Sequence, residues 1–383
     1  CLAALAGGPS TLVGVPASSS PLAALRALGL EATEDENQIA LRGPAQLRPP
    51  SEPVACEDAT TLALLAGLLA GRPEAATLRG PAPSDALVRG LQRLGATVHA
   101  ETDGLRLAGG ALRGTTVNAP TADDKAALLL AGLRAEGTTT VVTSAATPDH
   151  TERLLGLDAL TLGDDRHVTV RGGSPIGPGL WVVPRDFDAA APLLVAAATV
   201  TPSVLALTQV GLNPTRAALL EVLQAMGARH TVRNERERRH EPMADLVAGN
   251  ESGGLHSVAV SGLLTRRLTP HLPLVLTAAA HAEGTTAIHD VPASARPAVT
   301  ATLNGLRAMG ADAEATAEGC TVRGGSPLHG AEVDAQSYPV VAQALAVAAL
   351  TASGETTLHG AEAAGDDFWD ALDELRGESE EAA

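Results

Sequence analysis

Aromatic residues are nearly absent from this chain: they make up 1% of its 383 residues. Hydrophobic residues nevertheless reach 45%, so the cores have to be built from alanine, leucine and valine. A chain of this length exceeds one ordinary core, and the sequence therefore predicts two domains.

Positive charge is also scarce. The chain has a single lysine, Lys125, and Lys+Arg 27 against Asp+Glu 44 gives a formal net charge of −17. Such a surface repels the phosphates of nucleic acids and of anionic membranes. We therefore expect neither a nucleic-acid partner nor a membrane partner.

The three cysteines, Cys1, Cys56 and Cys320, lie far apart and lack the spacing of a zinc site or a disulfide framework. We predict no metal and no cofactor. No apolar run reaches the roughly 18 residues of a membrane span, and no signal peptide is visible. These absences predict a cytoplasmic protein, and we expect a monomer. The chain opens at Cys1 inside an apolar helical run, so we expect the true start of the domain to lie upstream or to have been lost.

An internal repeat organises the sequence. In each copy an Ala- and Leu-rich helix ends at a glycine or Pro-Ser turn and leads into a Thr/Val-rich run that predicts a strand. A second helix follows in most copies and ends in Leu-Gly or Met-Gly. Six copies recur at intervals of roughly 62 to 82 residues: LAALAGGPSTLVGVP from Leu2, LLAGLLAGRPEAATLRGP from Leu64, LLLAGLRAEGTTTVVTSA from Leu128, LLVAAATVTPSVLALTQV from Leu193, VLTAAAHAEGTTAIHDVP from Val275 and LAVAALTASGETTLHGAE from Leu345.

Particular strings resemble blocks of the bacterial 5-enolpyruvylshikimate-3-phosphate (EPSP) synthase family, an enolpyruvyl transferase family. They are KAALLLAGLRAEGTTTV (125–141), PDHTERLL (148–155), VGLNPTRAALLEVLQAMGA (210–228) and EPMADL (241–246). The resemblance implies an α/β fold, namely a two-domain inside-out α/β barrel built from six helix-strand repeats. It places the halves at 1–229 and 230–383, with four repeats before the boundary and two after it.

The resemblance also implies a reaction, in which the enolpyruvyl group of phosphoenolpyruvate moves to the 5-hydroxyl of shikimate 3-phosphate and phosphate leaves. Two multiply anionic substrates need arginine and lysine, and the chemistry needs a carboxylate for proton transfer. Most such positions are replaced here. The arginine that holds phosphoenolpyruvate corresponds to Ala63, the phosphate-binding serines to Asp188 and Ala189, and the catalytic aspartate to Pro270. The family's N-terminal P-G-D-K-S motif has no counterpart in this sequence.

We predict no catalytic residue, but several side chains stay candidates for substrate contacts. Thr121 keeps a hydroxyl, Arg185 brings a new positive charge, and His271, beside the position of the catalytic aspartate, can titrate near neutrality. Lys125 either meets an anion at the cleft or pairs with Asp123 or Asp124. The candidate substrate-binding residues are Thr121, Asp123, Lys125, Arg185, Asp188 and His271.

Other charged side chains have a structural interpretation. Arg153 and Arg216 are interpreted as scaffold residues that hold carboxylates and helix ends. Asp149 is expected to cap a helix, with no metal bound. The mixed-charge run RNERERRHEP (233–242) is interpreted as a solvated loop or hairpin.

The sequence thus predicts an enolpyruvyl transferase family protein that has lost the family reaction, or retains it only in strongly impaired form, as a pseudoenzyme does. Its small-molecule partners by family are shikimate 3-phosphate and phosphoenolpyruvate. Three alternatives stay open: a divergent transferase that acts on a less anionic substrate, a non-catalytic protein that binds a ligand or partner, and a decaying gene product.

Overall fold

Three of the predicted repeats lie in each of two units of the computed structural model. The first unit comprises Cys1–Pro184 with Glu237–Glu241, and the second comprises Arg185–Arg236 with Pro242–Ala383. The structure describes residues 1–15, 20–35, 38–42, 47–48, 50, 52–250 and 254–381, and only the backbone of 375–381.

The division between the units differs from the predicted boundary between 229 and 230, which falls inside the second unit. The fourth repeat helix, Phe187–Thr199, shares one hydrophobic core with the fifth and sixth repeat helices, Leu272–His281 and Pro339–Ala349. The repeats therefore divide three and three between the compact units, where the sequence-based boundary divided them four and two.

The first unit contains six helices and twelve strands among its described residues. Its helices are α1 Leu2–Leu5, α2 Ser20–Ala27, α3 Ala59–Leu69, α4 Asp85–Arg93, α5 Ala122–Gly132 and α6 His150–Leu155. Its strands are β1 Ser10–Val13, β2 Ala32–Asp35, β3 Gln38–Leu41, β4 Val54–Ala55, β5 Ala76–Arg79, β6 Thr97–Glu101, β7 Gly104–Ala108, β8 Thr116–Asn118, β9 Thr138–Ser144, β10 Ala159–Leu162, β11 Asp165–Arg171 and β12 Gly179–Val182. They form sheets in the orders β12-β1-β3-β2, β4-β5-β7-β6 and β10-β11-β9-β8.

The second unit continues with seven described helices. They are α7 Phe187–Thr199, α8 Ala218–Ala225, α9 Gly262–Arg267, α10 Leu272–His281, α11 Arg296–Ala308, α12 Pro339–Ala349 and α13 Asp366–Glu381, with short 3₁₀ helices at Thr269–His271 and Ala361–Ala364. The remaining strands are β13 Ser203–Gly211, β14 Arg229–Arg238, β15 Glu241–Asn250, β16 Leu255–His256, β17 Ala259–Val260, β18 Ala282–Glu283, β19 Thr285–Ile288, β20 Asp312–Ala315, β21 Cys320–Arg323, β22 Glu332–Asp334 and β23 Thr357–His359. Their sheets run β13-β15-β14, β16-β18, β17-β19-β21-β20 and β22-β23.

The repeat predicted from the sequence is confirmed. The six Ala/Leu-rich segments are the helices α1, α3, α5, α7, α10 and α12, and a strand follows each of them. The core of each unit is built almost entirely from Ala, Leu and Val side chains, as the shortage of aromatic residues requires.

Close approach between repeat helices depends on small residues. In the first unit α3 crosses α5 so closely that a Cβ at Gly67 would lie 2.1 Å from the carbonyl oxygen of Ala127. Backbone cannot move away as a flexible side chain can, so only glycine fits at this crossing. Across the described part of the chain, no helix combines the length and the hydrophobicity needed to cross a membrane.

Candidate functional site

A carboxylate lies at the start of the fourth repeat helix, α7. Asp186 is its N-cap residue and accepts a hydrogen bond from the backbone N–H of Asp188 (3.0 Å). Asp188 lies in the first turn, where the helix dipole favours negative charge. The sequence A-A-A-P-L-L-V-A-A-A that follows is almost wholly buried, so packing fixes the direction of the helix.

Two cationic or protonatable side chains converge on Asp188. Arg216, from the turn before α8, donates from Nη2 to Asp188 Oδ2. His271, from the 3₁₀ helix that precedes α10, places Nε2 2.9 Å from Asp188 Oδ1. We call these three residues the Asp188 cluster; all of them belong to the second unit.

The cluster favours a charged Asp188. Burial alone would raise the pKa of this carboxyl group, but the hydrogen bond from His271 and the charge of Arg216 outweigh burial and hold the pKa below its ordinary value. The carboxylate therefore stays ionised near neutrality, and its negative charge is balanced within the unit rather than by a ligand.

His271 is packed as a core residue. It is 2% exposed, and the ring of Phe187 meets it edge-on with 5.5 Å between centroids. Its Nδ1 atom is buried without a hydrogen-bond partner among the described residues. The sequence analysis placed His271 next to the position of the family's catalytic aspartate. In the structure His271 makes a buried contact with Asp188. A substrate contact by His271 stays a prediction.

Arg185 does not join this cluster. Its backbone lies beside Val210, where its N–H donates to the carbonyl of Gln209 (2.8 Å). Its side chain is exposed and makes no ion pair with the described residues. The structure therefore leaves Arg185 as an accessible positive charge, while substrate binding by it is still a prediction.

In the first unit, the N-termini of α3, α4 and α5 are capped by the chain's own polar side chains. Asp58 caps α3 and accepts from the backbone N–H (2.7 Å) and the hydroxyl (2.8 Å) of Thr61. Ser84 caps α4 and accepts from Leu87 N–H (3.0 Å). A helix N-terminus whose backbone N–H groups have no partner attracts anions. At these helices, side chains of the protein already accept hydrogen bonds from those N–H groups.

Two candidate residues lie at the start of α5. Thr121 is the N-cap residue, and its Oγ1 accepts from the backbone N–H of Asp124 (3.1 Å). Asp123 Oδ2 accepts from Thr60 Oγ1 (3.0 Å), and Asp124 Oδ1 accepts from Ser84 Oγ (2.6 Å). Two carboxylates therefore stand at the N-terminus of α5, with their hydrogen bonds made to neighbouring helices.

Lys125 pairs with neither Asp123 nor Asp124, and a substrate contact by Lys125 stays a prediction. It is 1% exposed, and its Nζ lies 2.7 Å from Glu152 Oε1, itself on a residue 1% exposed. Burial lowers the pKa of Lys125, and the charge of Glu152 acts in the opposite direction. The expected pairing with Asp123 or Asp124 is wrong because those residues precede Lys125 directly on one helix, where neighbours in sequence face different directions.

The buried pair belongs to a larger ionic network that the sequence analysis missed. Asp149 occupies the N-cap position of α6 as expected, but its side chain makes no capping hydrogen bond. Its carboxylate instead meets Arg153 Nε (2.7 Å) and Arg166 Nη2 (3.1 Å), and Arg166 also approaches Glu152 (3.7 Å). The interpretation of Arg153 and Arg216 as residues that hold carboxylates is confirmed. No pattern in the sequence links Lys125 to Glu152, which lies 27 residues away on another helix.

In the part of the chain that the structure describes, no group of three or more His, Cys, Asp and Glu side chains is placed to hold a metal ion.

Comparisons with known proteins agree with the repeat architecture. A family model described as EPSP synthase (3-phosphoshikimate 1-carboxyvinyltransferase) matches residues 1–375. A 3-phosphoshikimate 1-carboxyvinyltransferase of Salinibacter ruber is 37% identical over 97% of this chain and 92% of that protein. One of Parasynechococcus marenigrum is 38% identical over 97% of this chain and 91% of its own length.

Solved structures give the same result. EPSP synthase from Acinetobacter baumannii superimposes with a TM-score of 0.87 at 28% identity, covering 98% of this chain and 91% of that one. The enolpyruvyl transferase NikO from Streptomyces tendae matches at 20% identity with a TM-score of 0.67 over 98% of this chain and 90% of NikO, and this likeness concerns the fold. The fold is therefore that of the enolpyruvyl transferases, as predicted. Within that class, the chain belongs to the EPSP synthase (3-phosphoshikimate 1-carboxyvinyltransferase) family.

Proposed function

We propose that this chain is an EPSP synthase family protein whose enolpyruvyl transfer to shikimate 3-phosphate is lost or strongly impaired. The observation that carries the proposal is the Asp188 cluster. A carboxylate lies in the first turn of α7, where the family resemblance implies phosphate-binding serines, and it engages both Arg216 and His271.

Electrostatics support this proposal. Two like charges about 4 Å apart repel by about 4 kcal/mol at an effective dielectric constant of about 20. A phosphate dianion beside Asp188 carries two negative charges, so its repulsion energy exceeds that of a single pair. Arg216 cannot compensate fully, because its charge is already paired with the carboxylate of Asp188. The formal net charge of −17 adds to the repulsion at longer range.

The first unit supports the proposal independently. Asp58, Asp123 and Asp124 place carboxylates in the first turns, or at the caps, of α3 and α5. The residue that corresponds to the phosphoenolpyruvate-binding arginine, Ala63, is 4% exposed and belongs to the hydrophobic core. An anionic substrate would meet negative charge at both helix ends.

The test is a steady-state assay of phosphate release from phosphoenolpyruvate with shikimate 3-phosphate as acceptor. The Salinibacter ruber relative, run in parallel, is the positive control. Losing one preorganised electrostatic contact commonly costs 10² to 10³ in rate, so we expect kcat/KM to lie at least about a thousandfold below that of the control. A value within about tenfold of the control would contradict the proposal.

A divergent transferase is the second candidate, and the Asp188–His271 contact favours it. A carboxylate that orients an imidazole is a common arrangement for proton transfer, and an aspartate in place of phosphate-binding serines suits an acceptor without a phosphate. Shikimate itself is the probe. Phosphate release with shikimate but not with shikimate 3-phosphate would support this candidate, and release with neither would leave the non-catalytic interpretation.

The expectations of a cytoplasmic location and a monomeric state accompany the proposal. They rest on the scattered cysteines and on the family, and sedimentation velocity of the full chain tests the second of them.

A further inference from the structure

The tip of the β14–β15 hairpin carries an arginine and a histidine in a conformation that suits neither. Arg239 and His240 are the two residues between the strands, with φ of +50° and +62°. Two-residue hairpin loops with positive φ at both positions favour Asn-Gly because other residues are strained there. These side chains are therefore kept at a conformational cost.

Arg239 is held in one orientation. Its guanidinium lies 3.7 Å from the ring centroid of Trp181. Its Nη2 donates to the carbonyls of Gly177 and Pro178 (2.9 Å each), and its Nε donates to that of Leu180 (3.3 Å). Of its five N–H groups, the two on Nη1 have no acceptor among the described residues.

A pocket of about 190 Å³ lies beside this hairpin tip, within the first unit. Leu154, Leu155 and Ile176 line it with partly buried apolar surface that is continuous with the core. Arg239 and His240 supply its polar lining. Apolar walls with a small number of fixed polar groups are typical of sites for small organic molecules.

Among the residues that line the pocket, Arg239 is the one that carries a permanent charge. Glu237 lies 3.4 Å from His240 Nδ1. Arg153 donates to the carbonyl of His240 but is paired with Asp149. Arg239 makes its hydrogen bonds to uncharged carbonyls and keeps its full charge. A singly charged ligand fits this single charge better than a phosphate dianion, and a carboxylate can accept from the N–H groups that remain on Nη1.

We propose that this pocket, which is separate from the Asp188 cluster, binds a small monocarboxylate with a branched apolar body. The carboxylate accepts from Arg239 Nη1, and the apolar body lies against Leu154, Leu155 and Ile176.

Isovalerate is the probe ligand, and isovaleramide, which has the same apolar body but no charge, is the control ligand. The sequence contains two tryptophans, so the full chain with Trp369→Phe leaves Trp181, stacked on Arg239, as the reporter of binding. We expect a saturable change in Trp181 fluorescence with a Kd on the order of 1 mM, a reasonable value for so small a ligand. Isovaleramide should bind at least about tenfold more weakly, because it lacks the charge-assisted hydrogen bond.

Two variants in the Trp369→Phe background locate the site. Arg239→Gln should raise the Kd for isovalerate about tenfold or more. Gly177→Leu should abolish binding by filling the pocket, and a Cβ at Gly177 meets no atom within 4 Å, so the fold tolerates it. Gly254→Leu, equally free of close neighbours and in the second unit, is the matched control and should bind as the parent does.

Thermal unfolding shows whether each variant is folded. If Arg239→Gln does not fold, the binding result for Gly177→Leu tests the proposal. The absence of a saturable response, equal affinity for the amide, or binding that survives Gly177→Leu would overturn the proposal. None of these outcomes bears on the transferase assay, because no residue of the pocket belongs to the Asp188 cluster.

Discussion

The Nε2 atom of His271 lies 2.9 Å from Oδ1 of Asp188, although 83 residues separate the two in sequence. One residue starts the fourth repeat helix and the other precedes the fifth, so the contact is made by the packing of repeats within one unit. The aspartate at the position where the resemblance implies phosphate-binding serines is thus paired with side chains of its own unit. Because Asp188 is paired, we expect the stability of the protein to depend on the ionisation of this residue at low pH.

Asp188→Asn should lower the free energy of unfolding at neutral pH by about 1 kcal/mol, a value reduced because the Asp188 side chain is 36% exposed. The pKa of Asp188 is depressed in the folded state. Its contribution to stability is therefore fully present above the unfolded pKa of about 3.9 and is lost as the pH falls through the folded pKa. The variant should lose stability less steeply than the parent below about pH 4, as urea unfolding across that range measures.

Asp186→Asn is the control for this experiment, since it removes a carboxylate from the same helix end without touching Arg216 or His271. Its profile should follow that of the parent. A profile of Asp188→Asn that superimposes on the parent at every pH would contradict the assigned ion pair.

Lys125→Met should destabilise the first unit by about 3 to 5 kcal/mol, because it takes the closest cation from the buried carboxylate of Glu152 and leaves only Arg166, 3.7 Å away. Adding Glu152→Leu should recover much of that loss, since the uncompensated charge is then removed as well. Chemical unfolding of both variants measures the difference. Arg89→Met, which breaks an exposed pair with Asp85, should change stability by no more than experimental error. A Lys125→Met variant as stable as the parent would refute the interpretation of Lys125 as a structural residue.

Gly67→Ala should destabilise the first unit by about 3 kcal/mol, at the upper end of overpacking costs, because its Cβ would lie 2.1 Å from backbone oxygen of Ala127. Gly254→Ala, which meets nothing within 4 Å, should leave the unfolding midpoint unchanged. If the two alanine variants unfold together, then α3 and α5 do not pack as closely as described.

Thiol labelling should distinguish the three cysteines. Burial raises the pKa of Cys56 to about 11, with a further contribution from Asp58, and burial likewise raises that of Cys320 to about 11. At pH 8 the folded chain should react rapidly with a disulfide reagent at Cys1 alone, and at all three positions in urea. Rapid reaction of two or three thiols in the folded chain would argue against the described cores.

The sequence predicted the six helix-strand repeats because their signals are local and repeated, whereas the two-domain barrel was implied by the family resemblance. Glycine-terminated Ala/Leu helices followed by Thr/Val runs recur six times in phase, and each became a helix and a strand. Side-chain partners were harder to predict. Lys125 pairs with Glu152, 27 residues away on another helix, and sequence neighbourhood suggested Asp123 or Asp124 instead.

The candidate site shows the same limit. Asp188 was singled out from the resemblance, but nothing in the sequence indicated that Arg216 and His271 would meet it, because both contacts depend on how α7 packs against neighbouring repeats. The boundary between the units could not be predicted from the sequence either, because the shared core of α7, α10 and α12 depends on contacts between distant segments.

We propose that internal carboxylates occupy the positions at which substrate anions bind in the family. Isothermal titration of the folded chain with shikimate 3-phosphate, followed by phosphoenolpyruvate, tests it most directly. The claim predicts no heat of binding at millimolar ligand from a chain that circular dichroism shows to be folded. Binding of shikimate 3-phosphate with a micromolar Kd would contradict it.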